Sequence, residues 1–180
     1  GMGALRAYSV RIGKAQPTMN ISALRHTRRA LLIGVGSLTA LAIAGCTQAA
    51  AAPVPMAVRR NPGCGCCEAW TEQMRASGRF IVTSTDDPDL AAFKTARGVP
   101  ADLASCHTAI VGDYVVEGHV PLADVVRMLD ERPAIAGIAV GAMPLGSPGM
   151  EQPGGGNEAY DVMAFTSGGE RSVFSHYPAR

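Results

Sequence analysis

Apolar residues recur with two different periods between residues 53 and 180, and the changes of period mark out short strands and helices. Val54 to Val58 is a short apolar segment that predicts a strand, broken by Asn61-Pro62-Gly63. Cys67, Trp70 and Met74 then fall at helical spacing, which predicts a helix from about Cys66 to Ser77 with Gly78 as its stop. Phe80 to Thr85 is rich in β-branched residues and predicts the second strand. Asp86 and Asp87, ahead of Pro88, read as helix-start residues for a second helix with a buried stripe of Leu90, Phe93 and Ala96, ended by Gly98. Thr108 to Val111 and Tyr114 to Glu117 flank Gly112-Asp113, a two-residue hairpin signal. Leu122, Val125, Val126 and Leu129 give a third helix, about Leu122 to Glu131, closed by Pro133. A loop rich in Gly, Pro and Met spans 141–157, and a last hairpin is expected from Tyr160 to Thr166 and Arg171 to Tyr177, turning at Gly168-Gly169.

A βαβ unit followed by a ββα unit builds a four-stranded mixed sheet with helices on both faces. The expected class is therefore α/β, thioredoxin-like, with a C-terminal β-hairpin extension.

Residues 1–52 follow neither period and read as a leader ahead of a domain at 53–180. Residues 30–44 form an uncharged apolar run, short for a membrane span but suited to a signal peptide, with Arg25, Arg28 and Arg29 as its basic flank. Thr27-Arg28-Arg29 before Ala-Leu-Leu resembles a twin-arginine export signal, with a general secretory signal as the alternative. Ile43-Ala44-Gly45-Cys46 resembles a bacterial lipobox, which would lipid-anchor the mature chain at Cys46. The alanines at 49–52 would equally suit an ordinary signal peptidase. Met19 suits a start for such a leader, which makes residues 1–18 an over-long beginning. Either way the expected destination is the periplasm or cell envelope, with the membrane touched only through the N-terminal lipid.

Charge supports this division. Of 16 Lys and Arg in the 180-residue chain, six lie within residues 1–52 (Arg6, Arg11, Lys14, Arg25, Arg28 and Arg29), where no acidic residue occurs. Ten basic against 15 acidic residues remain, a balance of −5, so the overall +1 belongs to the leader. An acidic domain of about 120–130 residues with few aromatics is no nucleic-acid binder. Nor does the chain carry a GxSxG turn, an HExxH helix or a phosphate-binding loop.

The candidate chemistry is in the cysteines. Cys64-Gly65-Cys66-Cys67 stands where the first strand meets the first helix, and a helix N-terminus favours thiolate over thiol. Cys106 precedes the third strand, and in a thioredoxin-like sheet that loop lies beside the strand-to-helix loop. His119 falls after the fourth strand on the same edge of the sheet. His107 neighbours Cys106, but alternation along an extended chain would turn its side chain to the opposite face, leaving Cys106 as the ligand. Two disulfides, Cys64–Cys67 and Cys66–Cys106, would be the purely structural account. Three cysteines in four positions staple poorly, however.

Thiol–disulfide exchange through Cys64 and Cys67 and capture of a soft metal both remain. A third thiol at Cys66 would compete in exchange, whereas crowded thiolates can bridge Cu(I) ions. The place just before the third strand, where exchange enzymes of this fold carry a cis-proline, reads Ser105-Cys106-His107-Thr108, with the nearest upstream proline at Pro100. The metal set expected from the residues is Cys64, Cys66, Cys67 and Cys106, with His119 as a further or supporting ligand, and copper as Cu(I) ahead of zinc or silver. Met143 and Met150 are candidate accessory thioethers or gap-fillers. Met74, Met128 and Met163 read as core, and His176 as exposed or paired.

NPGCGCCEAW (61–70), GVPADLASCHTAIVGDYVVEGHVP (98–121) and MPLGSPGMEQPG (143–154) resemble the CopG-like exported metal-binding proteins of bacterial copper and cation resistance. The resemblance covers about Met56 to Tyr177. It implies a thioredoxin-like fold, copper bound by Cys64, Cys66, Cys67 and Cys106, and interconversion of Cu(I) and Cu(II). Soft metal ions, a periplasmic copper chaperone and an efflux component are the expected partners.

Overall fold

The computed structural model describes residues 52–180; the leader features, including Arg28-Arg29, the run at 30–44 and Cys46, lie outside them. The elements follow the predicted order. They are β1 (Val54–Arg60), α1 (Gly65–Ala76), β2 (Phe80–Asp86), α2 (Leu90–Ala96), a 3-10 turn (Ala101–Leu103), β3 (His107–Val111), β4 (Tyr114–Glu117), α3 (Leu122–Glu131), β5 (Gly137–Ala139), β6 (Tyr160–Phe165) and β7 (Arg171–Tyr177).

All seven strands join one sheet in the order β2-β1-β3-β4-β5-β6-β7. β1 pairs parallel with β2 and antiparallel with β3, and β3 with β4 antiparallel, as a βαβ unit followed by a ββα unit requires. The α/β class holds. The expected four strands stand side by side as β2-β1-β3-β4, and the sheet runs on beyond them because β5 pairs parallel with β4 and antiparallel with β6. The C-terminal hairpin therefore continues the sheet. Three residues beginning with glycine carry no readable period, so β5 is invisible in sequence. Gly137 is there because its neighbours leave no room: a Cβ would sit 2.1 Å from the Val115 carbonyl oxygen and 2.9 Å from the Phe165 ring.

Strand alternation divides the core. Met56, Val58, Ala109, Val111, Val116, Ile138 and Val162 share one cluster with Trp70 and Met74 of α1 and Val125 and Met128 of α3. Val115, Ala139 and Phe165 face the other way and meet Val99 and Leu103, which follow α2. Helices thus cover both faces.

Two helix stripes differ from expectation. In α2 it is Lys94 that is buried with Leu90, while Ala96 is exposed. Phe93 is half-buried under the guanidinium of Arg59, 4.4 Å from its ring centre. In α3, Asp124 is buried and accepts hydrogen bonds from Ser175, Tyr177 (2.7 Å) and Arg127 (3.2 Å), tying the helix to β7.

Gly137→Ala is expected to lower stability by about 2–4 kcal/mol, since the new methyl would run into the Val115 backbone, which cannot step aside. Urea unfolding monitored through Trp70 fluorescence would measure it.

Candidate metal centre

The centre forms where the end of β1 lies beside the start of β3. Arg60 pairs with His107 in the ladder, and the Asn61 N–H donates to the Cys106 carbonyl at 3.1 Å, extending the pairing one step further. The turn at Asn61–Gly63, with Gly63 at φ +70, then feeds directly into α1. Cys64 is the N-cap residue and makes no side-chain cap bond, so its sulfur is not tied to the helix backbone. Cys66 and Cys67 occupy the first turn.

Cys64 and Cys67 are joined by a disulfide, while Cys66, half-buried, and Cys106, buried, are free thiols. The Cys66 sulfur lies 3.4 Å from that of Cys64 and 3.9 Å from that of Cys106. All four sulfurs fall within 4.8 Å of one another. Of the two bridges in the purely structural account, the structure contains only Cys64–Cys67.

His119 reaches the same point from the far end of β4. Its Nε2 stands 3.0 Å from the Cys106 sulfur, and its Nδ1 lies 2.8 Å from the Pro148 carbonyl. A carbonyl only accepts, so Nδ1 carries the proton and Nε2 presents its lone pair to the sulfur, the tautomer a metal needs. Gly118 makes this approach possible, because a Cβ there would lie 2.4 Å from the Val140 carbonyl and 2.6 Å from Ser105 Cβ. Pro148 belongs to the Gly/Pro/Met-rich loop, which packs down on α1: a Cβ on Gly149 would lie 2.7 Å from the Cys66 carbonyl.

The structure corrects the expectation for His107. Its Nδ1 is 3.4 Å from the Cys106 sulfur, and Cys106, His107 and His119 form a second buried donor group within 4.8 Å. Alternation fails here because Cys106 sits in a bend before β3 begins. The His107 ring packs 4.5 Å from Trp70 and edge-on to His119 at 5.0 Å, and its Nε2 has no hydrogen-bond partner among the described residues. The signal in sequence was adjacency to Cys106.

Of the other candidates, Met143 is exposed and Met150 half-buried on the loop that carries Pro148. Met74 and Met128 are fully buried and Met163 half-buried, as core. His176 pairs with Asp161 at 2.6 Å on the C-terminal hairpin.

Burial sets the electrostatics. It pushes the Cys106 thiol up to about 12, with the nearby Cys66 adding to the effect. Burial also drives His107 well below the ordinary histidine value, helped by His119 and Lys94, and lowers His119 despite the Pro148 carbonyl. Burial thus favours a neutral Cys106 thiol and neutral imidazoles beside the Cys64–Cys67 disulfide and the Cys66 sulfur. No acidic oxygen joins either donor group, and the nearest carboxylate in sequence, Glu68, is held by Arg60 and, at 3.1 Å, by Arg75. Such a set suits Cu(I), Ag(I) or Zn(II) and not a hard cation.

Comparison with known proteins bears on the same residues. A family described as "Protein of unknown function, DUF411" matches residues 103–150, the stretch holding Cys106, His107, His119 and Pro148. Two solved structures, "Copper resistance protein copG- Form 1" and "Form 2", are each 43% identical to this chain with a TM-score of 0.66. They cover 70% of it and are themselves covered over 98% and 99%. The chain belongs to the CopG copper resistance protein family. No curated protein matches. CopG similarity spans almost the whole of those solved chains, so both halves of the centre, CxCC and Cys106 to His119, fall within one family domain.

The neutral histidines give a pH-dependence. Both have folded pKa values below the unfolded one, so their contribution is complete above about pH 6.5 and is lost as pH falls. The unfolded chain then takes up protons the folded one refuses. Urea unfolding of the metal-free protein between pH 8 and 5 should lose up to about 1.4 kcal/mol per pH unit for each histidine. His107→Phe is expected to flatten the slope.

Proposed function

We propose that this CopG-family chain captures copper as Cu(I) through the thiolates of Cys64, Cys66, Cys67 and Cys106, with His119 Nε2 as a further ligand. The observation that carries this reading is the meeting of four sulfurs from two separate loops within 4.8 Å. Opening the Cys64–Cys67 bridge consumes two electrons and two protons from a dithiol reductant and returns two thiols. Each thiol that binds Cu(I) then releases its proton to solvent. With four thiolates in one place, more than one Cu(I) can be bridged by shared sulfur.

Exported to the periplasm or cell envelope by the leader, and lipid-anchored there through Cys46, such a domain contributes to copper or silver tolerance. It does so by sequestering the metal, handing it to a chaperone or efflux component, or cycling it between Cu(I) and Cu(II). Both solved relatives are copper resistance proteins by name, which supports copper over zinc. Among the described residues no helix is long and apolar enough to cross a membrane.

The decisive experiment is anaerobic titration of the fully reduced protein with Cu(I) against a chromogenic chelator. Cys66→Ala and Cys106→Ala should each lower the bound copper and weaken affinity by at least about tenfold. Unchanged binding in both variants overturns the four-thiolate site. No binding at all, with disulfide reduction depending only on Cys64 and Cys67, makes the chain a thiol–disulfide oxidoreductase instead.

Because Cys106 is protonated in the metal-free state, apparent affinity should rise with pH, about tenfold per unit for each proton released. Repeating the titration between pH 6 and 8 measures this.

A further inference from the structure

On the face of the sheet away from α1 lies a second buried polar group that copper capture does not use. Glu117, fully buried on β4, accepts from Lys94 Nζ at 2.5 Å and from the backbone N–H of Ser105 at 2.6 Å, both on Oε1. Its Oε2 accepts from the Thr108 hydroxyl at 2.6 Å, and that hydroxyl in turn accepts from Lys94 at 2.8 Å. Lys94 reaches this point from α2 with its side chain only 10% exposed.

A buried ion pair is seldom more stabilising than apolar residues of the same size, so general stability does not account for it. Its one bond to the backbone does suggest a role. Ser105 immediately precedes Cys106, and Glu117 itself stands two residues before His119. One carboxylate therefore ties together the two segments that bring the Cys106 sulfur to 3.0 Å from His119 and 3.9 Å from Cys66.

We propose that Glu117, its charge held by Lys94, is a positioning residue that fixes the Ser105–Cys106 backbone and so sets where the Cys106 sulfur meets its neighbours. Other ties on this loop include the Asn61 N–H to the Cys106 carbonyl, the Ser105 hydroxyl to the Ala142 carbonyl, the Ala142 N–H to the Ala104 carbonyl at 3.5 Å, and the Gly118 N–H to the His107 carbonyl. The Cys67 sulfur lies 3.5 Å from the Cys106 carbonyl. Only the Glu117 bond holds the Ser105 N–H. That amide has no strand partner, since the Ser105–Cys106 segment precedes β3. The metal consequence rests on the copper reading above; the geometry of Cys106 does not.

Two double variants separate the acceptor from the charge. Lys94→Met with Glu117→Gln removes both charges but keeps an oxygen for the Ser105 N–H. Lys94→Leu with Glu117→Leu removes both charges and the acceptor. In the reduced, metal-free protein, the Leu pair should change the alkylation rate of Cys106 at least about fivefold relative to Cys66. With Cu(I) it should weaken affinity by about 10–100-fold, the range found for partners that orient a metal ligand. The Met/Gln pair should stay within about twofold of the parent on both readouts.

A folded Leu pair with parental alkylation and parental affinity overturns the proposal, as does a Met/Gln pair that shifts as far as the Leu pair. If the Leu pair does not fold, amide hydrogen exchange at Ser105 in the parent protein decides. Protection of at least about a hundredfold supports the bond, and exchange at the rate of an exposed amide overturns it. If the parent binds no Cu(I), the copper reading fails, while alkylation and exchange still decide the positioning role.

Discussion

The antiparallel ladder between β1 and β3 is the constraint on which the centre depends. Its register sets Arg60 opposite His107, and the bond from Asn61 to the Cys106 carbonyl carries it past both strand ends. The chain leaving β1 therefore turns into α1 beside the chain entering β3. Three cysteines on one side and one on the other meet there with no covalent bond between the two loops. A slip of one residue would turn the strand faces over and part the sulfurs.

Around that meeting point the protein keeps hard charge away. Glu68 is occupied by Arg60 and Arg75, and Glu117 lies on the opposite face with Lys94. What faces inward is sulfur and imidazole, and burial disfavours charge on the Cys106 thiol and on both imidazoles. A soft, monovalent cation gains most in such a place, because thiolates supply both charge and polarizable donors while water is excluded. The same burial makes the metal-free state costly to acidify.

The wider sheet serves the centre indirectly. β5 continues the sheet from β4 to the C-terminal hairpin, and the chain between β5 and β6 returns over α1. Its Pro148 carbonyl orients His119, and Gly149 permits contact with the first turn of α1. The hairpin is fastened separately, through buried Asp124 and its bonds to Ser175 and Tyr177.

Local pattern and composition determined much of this protein. Helical spacing of Cys67, Trp70 and Met74, the β-branched run at Phe80, and the Gly112-Asp113 turn express preferences of neighbouring residues, so they are legible in one dimension. Cysteine clustering at a strand-to-helix junction is equally local, whereas Cys106 and His119 were placed beside it only through the expected topology of the sheet. Tertiary structure decided what depends on distant partners. β5 exists because β4 and β6 flank it, and Lys94 is buried because Glu117, far along the chain, compensates its charge. His107 joins the donors because a bend at Cys106 suspends the alternation that a strand would impose. Short-range conformational energy is written in sequence order, whereas burial and pairing arise only when remote segments meet.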